Sequence, residues 1–156
     1  MSQLEPSAGA DVTINADPDA VYALITDLPT LASLGEEVAA MEWRKGNSAA
    51  PGAVFKGHNR NGSKQWSTTC TVTDADPGRV FAFDVKHTVL PIAHWRYDIE
   101  PVDGGCRVIE RTWDRRPAWF RKPAGLATGV KDREAANTAH IEATLQRLKA
   151  KAESPS

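Results

Sequence analysis

Glu110 is the residue whose surroundings in the sequence most clearly suggest chemistry. It lies in a predicted strand and shares one face of that strand with Cys106 and Val108. Because side chains alternate across a β-strand, this pattern places a carboxyl group on an apolar face. There it must be paired, hydrogen-bonded or neutral. A raised pKa would suit Glu110 to general acid–base catalysis or to binding a ligand hydroxyl, and the alternative is a structural ion pair or hydrogen bond.

His140 is the second candidate for proton transfer, because it lies beside Asn137 and Ile141 at the edge of an apolar helical stripe. From that edge its imidazole can face the same pocket as Glu110 and form an acid–base pair with it. The alternative for a histidine in this position is a solvent-facing residue. The sequence therefore predicts Glu110 and His140 as the candidate catalytic residues.

Metal and thiol chemistry are not expected. The other histidines, His58, His87 and His94, are spread over three predicted strands without the HxH or HExxH spacing of metal sites. Neither Cys70 nor Cys106 lies beside an activating base, and both are predicted to be small apolar fillers. No cofactor is predicted.

The elements that must position these residues begin with one strand and two short helices. The strand is predicted at Asp11–Ala16, and Asp17 and Pro18 then suit the N-cap and the first turn of a helix. Pro29 interrupts that helix, and a second short helix is predicted at Thr30–Glu37.

Six further strands are predicted between residues 38 and 114, followed by a long amphipathic helix that Asp132 can cap. Most of these strands are joined by turns such as Asn61-Gly62, which favour antiparallel hairpins. A curled antiparallel sheet of about seven strands beside one long helix is an α+β layout.

Alternation along these strands predicts which residues line a ligand pocket. Asn59 and Trp66 fall on paired strands, so one pocket can contain both; the alternative is that Asn59 satisfies backbone groups near the turn and Trp66 is ordinary core. With two residues of the last helix, the predicted ligand-binding set is Phe55, Asn59, Trp66, Thr68, Phe81, Phe83, Trp95, Tyr97, Val108, Glu110, Thr112, Asn137 and Ile141.

Length, composition and charge narrow the classes of function. The 156 residues predict one domain, over residues 10–152, with flexible tails at 1–9 and 153–156. A net charge of −1 gives no positive field, so no nucleic-acid partner is expected. No apolar run reaches the roughly 18 residues of a membrane span, and no signal peptide is expected. Two cysteines without an export signal indicate a cytoplasmic protein.

Several segments of the chain carry a family resemblance. They are Asp17–Tyr22 at the first helix, Gly52–Asn59 with Trp66 on the third and fourth strands, Asp76–Phe83 at the next turn, Trp95–Pro101 with Gly104–Glu110 on the last two strands, and Ala143–Lys149 in the final helix. Over about residues 10–150 these segments and the element order resemble the START-like, birch-pollen-allergen-like superfamily, also called SRPBCC. The resemblance is strongest to its polyketide cyclase/dehydrase and lipid-transport branch.

The resemblance implies a helix-grip fold and a ligand pocket. In this fold the sheet wraps around the C-terminal helix, two short helices follow the first strand, and an apolar cavity remains between sheet and helix. Ligands of the family are typically lipids, sterols, polyketides or plant-hormone-like molecules. Some members catalyse cyclisation or dehydration and many only bind, so the fold alone does not decide the function.

A basic and aromatic segment precedes the last helix. Trp119 and Phe120 are predicted at the cavity mouth, and the segment is a candidate for transient contact with a membrane surface. The alternative is a solvated loop folded over the cavity mouth. The residues of the predicted contact are Arg115, Arg116, Trp119, Phe120, Arg121 and Lys122.

The sequence favours a non-catalytic carrier or sensor of a hydrophobic small molecule, either monomeric or homodimeric. The first alternative is a cyclase- or dehydratase-type enzyme with Glu110 as general acid or base, and the second is a regulatory protein-interaction module. The state of the pocket distinguishes them. A filled core would exclude both pocket functions, whereas an open cavity with Glu110 buried near His140 or Tyr97 would favour the enzyme.

Overall fold

The described part of the chain is built on a curved antiparallel sheet of seven strands. The computed structural model describes residues 6–35, 38–61, 63–88, 90–115 and 130–154. In chain order the elements are β1 (Ala8–Ile14), α1 (Pro18–Thr26), α2 (Leu28–Leu34), β2 (Val38–Lys45), β3 (Val54–Asn61), β4 (Lys64–Asp76), β5 (Val80–His87), β6 (Leu90–Val102), β7 (Gly105–Asp114) and α3 (Val130–Glu153). The order across the sheet is β1-β7-β6-β5-β4-β3-β2. This is the predicted α+β helix-grip fold.

The concave face of the sheet and the helices share one apolar core. α1 contributes Val21 and Ile25, and α3 contributes Ile141, Leu145 and Leu148; each of these side chains is at most 1% exposed. The three α3 residues are spaced by four and three positions, so they form one stripe on the helix surface. Burial of this stripe against the sheet fixes which face of α3 points inward.

The first two helices begin at aspartate caps. Asp17 caps α1 with Pro18 in the first turn, as predicted. The second helix differs from its prediction, since it spans Leu28–Leu34 rather than Thr30–Glu37. Asp27 caps it by accepting hydrogen bonds from the backbone N–H of Thr30 at 3.2 Å and from its hydroxyl at 2.6 Å. Pro29 therefore stands in the first turn of α2, where a missing N–H costs no helical hydrogen bond.

The N-terminal strand begins earlier than predicted. β1 starts at Ala8, within the predicted flexible tail, and pairs with β7 from Ala8 opposite Thr112 to Ile14 opposite Cys106. The Ser7 N–H also donates to the Thr112 carbonyl at 2.8 Å, and Ala8 is only 6% exposed. The backbone at the edge of β7 supplies hydrogen-bond partners to the first residues of β1, whose side chains have a low preference for strands.

The C-terminal end of α3 is hydrogen-bonded to α2 and to the end of β1. Arg147 Nη1 donates to the Leu34 carbonyl at 2.9 Å, and Lys149 Nζ donates to the Thr13 carbonyl at 3.1 Å. The Glu153 carboxylate accepts from the backbone N–H of Asn15 at 2.7 Å. These bonds hold α3 across the open side of the sheet. None of the helices within the described ranges combines the length and apolar character needed to cross a membrane.

Candidate functional site

A cavity of about 320 Å³ lies between the concave face of the sheet, α2 and α3. We call it the main cavity. Its volume is at the lower end of the range for small-molecule sites, and most of its wall is apolar, as in such sites. The residues that line it are Leu31, Gly35, Val38, Met41, Gly57, Asn59, Trp66, Thr68, Cys70, Phe83, Val85, Ile92, Trp95, Tyr97, Glu110, His140 and Thr144.

Glu110 and Tyr97 form a polar pair in this apolar wall. They lie directly opposite each other on β7 and β6, and their side chains are 2% and 4% exposed. The Tyr97 hydroxyl is hydrogen-bonded to the Glu110 carboxyl group. The second carboxyl oxygen, Oε1, is fully buried and has no hydrogen-bond partner among the described residues. A buried acceptor or donor of this kind costs free energy unless a ligand or a water completes it.

Burial controls the protonation of the pair. Desolvation raises the pKa of Glu110 to about 8, although the Tyr97 hydrogen bond acts in the opposite direction. Burial and then the nearby Glu110 charge raise the pKa of Tyr97 well above its usual value. Near neutral pH the carboxyl group therefore keeps its proton. A neutral carboxylic acid in an apolar cavity can donate a hydrogen bond, or a proton, to a ligand oxygen.

A second polar group lies on the other side of the main cavity. Asn59 on β3 faces Trp66 on β4, and Gly57 faces Thr68 two residue pairs further along. A methyl group at Gly57 would lie 3.1 Å from Thr68 Oγ1 and 4.0 Å from Asn59 Nδ2. The absent side chain of Gly57 thus leaves a small polar niche in the cavity wall.

Cys70 is not a nucleophile in this arrangement. Burial raises the pKa of its thiol to about 12, and the Thr68 hydrogen bond lowers it only in part. The thiol therefore stays protonated at any physiological pH, and the residue serves as apolar wall.

The predicted ligand-binding residues fall into three groups. Seven line the main cavity: Asn59, Trp66, Thr68, Phe83, Trp95, Tyr97 and Glu110. Four others belong to the packed core and not to the cavity wall: Phe55, Phe81, Val108 and Ile141. Strand alternation predicts the face of a side chain but not its depth. These four side chains are at most 1% exposed and belong to the close-packed core that the sheet and the helices share.

Thr112 and Asn137 contact a different space. Together with Ser7, Trp95 and Asp114 they line a second cavity of about 190 Å³. The Thr112 hydroxyl donates to the His94 carbonyl at 3.2 Å, so its hydrogen bond is made within the sheet. Trp95, which pairs with Thr112 across β6 and β7, lines both cavities.

His140 lies at the rim of the main cavity, on the exposed side of α3. Burial and the Tyr97 hydrogen bond act on the Glu110 carboxyl group. The structure thus places both predicted catalytic residues around one cavity. Helical spacing predicted the position of His140 on α3, but it does not measure the distance across the cavity.

Sequence reasoning missed part of the cavity wall. Leu31, Val38 and Met41 close it from α2 and β2, and Thr144 lies one turn after His140 on α3. Ile92 was missed for a different reason. Pairing changes register between Val85 and Lys86, which face Ala93 and Pro91 and leave Ile92 as the extra residue of a β-bulge. The sequence predicted this strand only from His94, so Ile92 lay outside it, and the bulge also takes Ile92 out of the alternation within β6.

Two other histidines lie in polar pairs away from the cavity. His58 is 3.3 Å from Glu42 Oε2 and 3.2 Å from Ser67 Oγ, and His94 Nδ1 is 2.7 Å from Asp84 Oδ1. Within the described residues no group of three potential metal-ligating side chains lies together.

The predicted mouth and membrane-contact residues lie mostly outside the described residues. This applies to Arg116, Trp119, Phe120, Arg121 and Lys122. Arg115 is exposed, and its backbone N–H donates to the Ile92 carbonyl at 2.9 Å.

Known proteins are similar to this chain along nearly its whole length. The family model described as polyketide cyclase/dehydrase and lipid transport matches residues 6–153. None of the curated protein sequences matches it. The Polyketide_cyc-like protein Cgl2372 from Corynebacterium glutamicum is 22% identical, with a TM-score of 0.65 over 94% of this chain and 91% of that one. The KanY protein is 21% identical, with a TM-score of 0.69 over 99% and 100%.

One similar structure is a longer protein of a biosynthetic pathway. The di-domain ARO/CYC BexL from the BE-7585A pathway is 21% identical with a TM-score of 0.70, and the match covers 95% of this chain but 50% of that one. These identities show a shared fold. The family model covers most of the sequence, and the chain therefore belongs to the polyketide cyclase/dehydrase and lipid transport family.

Proposed function

We propose that this protein binds an apolar small molecule in the main cavity and holds an oxygen atom of that molecule against the Glu110 carboxyl group. The observation that carries the proposal is Glu110 Oε1, which is buried in the cavity wall and has no partner in the part of the chain that the structure describes. A ligand with a carbonyl or hydroxyl group would complete this atom's hydrogen bonding, while its apolar body would displace water from the aromatic wall. The family to which the chain belongs supports this proposal.

Proton transfer to the bound molecule is the second candidate function. The arrangement that favours it is a cavity with Glu110 buried and hydrogen-bonded to Tyr97. In a dehydration, the Glu110 proton would pass to a ligand hydroxyl, which leaves as water. The carboxylate, stabilised by the Tyr97 hydroxyl, would then take a proton from the adjacent carbon. The acid is regenerated, so the cycle needs no cofactor.

The substitution Glu110→Gln separates these two functions. Glutamine has nearly the same shape and keeps a hydrogen-bond donor, but it cannot transfer a proton. A carrier should therefore bind its ligand with affinity changed only a fewfold, whereas an enzyme should lose turnover by about 10²-fold or more.

Filling the cavity tests the binding proposal itself. We expect Thr144→Trp to abolish binding, because Thr144 lines the main cavity and an indole would occupy it. Gln146→Trp is the matched control, since Gln146 is exposed on the same helix. Native mass spectrometry of each variant, purified from the natural host, measures the copurified small molecule. The proposal fails if Thr144→Trp keeps its fold by circular dichroism and carries as much ligand as Gln146→Trp.

A further inference from the structure

We infer that the ligand carries a second oxygen group at the end remote from Glu110, and that Asn59 is the residue that recognises it. This inference rests on the proposed function, because it describes the far end of the same ligand in the same cavity.

The polar groups of the main cavity are divided between its two sides. Glu110 and Tyr97 lie on β7 and β6, whereas Asn59 and Thr68 lie on β3 and β4. Only the central strand β5 separates β6 from β4, and it contributes apolar side chains. Glu110 on β7 and Asn59 on β3 are four strand spacings apart, which is about 19 Å along the curved sheet at about 4.8 Å for each spacing. Both residues lie on the concave side, so the span between their side chains is shorter than this arc, and a ligand that reaches both needs an elongated apolar body.

The Asn59 side chain is available for a ligand. It is half-buried in the cavity wall, and its amide makes no side-chain hydrogen bond within the described part of the chain. The alternative considered from the sequence was that Asn59 satisfies backbone groups near the turn. The described part of the chain contains no hydrogen bond of this kind. An amide offers both a donor and an acceptor, so it can recognise either a hydroxyl or a carbonyl group.

The neighbouring residues enlarge the space in front of this amide. Gly57 has no side chain, and a methyl group there would be in tight contact with Thr68 Oγ1 at 3.1 Å and near Asn59 Nδ2 at 4.0 Å. A ligand oxygen in the niche would therefore have Asn59 and Thr68 within reach. A ligand with an apolar group at this end would leave the Asn59 amide without a partner. Such a ligand should therefore bind more weakly than one with an oxygen atom there.

A pair of rigid probes tests this inference on the full chain. In para,para′-biphenol two hydroxyl groups stand at opposite ends of an apolar body, and para-phenylphenol lacks one of them. By isothermal titration we expect the wild type to bind the diol about three- to tenfold more tightly, the contribution of one hydrogen bond. Asn59→Leu should remove this difference by weakening the diol alone. Gly57→Ala, which narrows the niche, should reduce it too.

The matched control is Asn47→Leu, which changes an exposed asparagine outside the cavity and should keep the wild-type preference. Equal binding of both probes to the wild type would overturn the inference and leave the proposed function standing. The same holds if Asn59→Leu weakens both probes alike. If neither probe binds the wild type, both the inference and the proposed function fail.

Discussion

The Glu110 carboxyl group links the stability of the fold to pH. Its pKa is about 8 in the folded protein against an ordinary value of 4.5, so between these values the folded state holds a proton that the unfolded state has released. The contribution of Glu110 to the free energy of unfolding is therefore greatest below about pH 4.5 and is lost as the pH rises to 8, by up to roughly 4–5 kcal/mol for this group alone.

Glu110→Gln removes this dependence, because an amide does not ionise. We expect the variant to become more stable relative to the wild type as the pH rises from 5 to 9. Urea unfolding at pH 5, 7 and 9 measures the difference. If the free energies of unfolding of the two proteins changed with pH in parallel, the carboxyl group would not titrate in this range. That result would contradict the assigned environment of Glu110. Tyr97 does not interfere, since its own pKa is raised well above 10.

At the scale of single residues, the sequence predicted the type of site better than its contacts. Glu110 stands out because it interrupts the apolar pattern of its strand, and the structure shows that it is buried in the cavity wall. Its hydrogen bond to Tyr97 depends on the register of β6 against β7, which alternation within each strand cannot define. The distance from His140 to the cavity centre depends in the same way on how α3 docks.

At the scale of elements, α2 connects local capping to the cavity. Asp27 holds the first turn of this helix through two hydrogen bonds to Thr30, and the helix places Leu31 and Gly35 in the cavity wall. A seven-residue helix has little stability of its own, so its cap and its packing determine whether it forms.

We expect Asp27→Ala to lower the free energy of unfolding by about 1 kcal/mol, the usual cost of losing a cap. Asp27→Asn is the matched variant, because its side-chain oxygen can still accept the bond from the Thr30 N–H. Urea unfolding should show most of the stability retained in Asp27→Asn. An equal loss in both variants would indicate that the charge of Asp27, and not its capping bond, stabilises α2.

Element boundaries show where sequence reasoning is weakest. The six strands predicted between residues 38 and 114 are all present, because turn residues such as Asn61-Gly62 mark where strands end. β1 was predicted too late, since its pairing partner β7 lies about a hundred residues away in the chain. The bulge at Ile92 likewise depends on the neighbouring strand, which no local pattern records.

At the scale of the whole molecule, α3 lies over the concave face of the sheet, and the main cavity lies between them. Contacts to α2 and β1 secure the end of α3 through Arg147, Lys149 and Glu153. The main cavity remains between these contacts and the sheet, with about 320 Å³ left unpacked. A ligand that binds against this apolar wall gains contacts that the unfolded chain does not offer, so it favours the folded state. A molecule that fills the space should therefore stabilise the entire fold.

Thermal unfolding measures this effect without knowledge of the natural ligand. At a para,para′-biphenol concentration 100 times its Kd, binding adds about 2.7 kcal/mol to the free energy of unfolding. For a domain of this size that corresponds to a rise in Tm of about 5–11 °C. Thr144→Trp should show almost no rise, because its indole occupies the binding space, while the exposed Gln146→Trp should respond like the wild type. A similar rise in all three proteins would place the diol outside the main cavity, since only Thr144→Trp changes the volume that the ligand would fill.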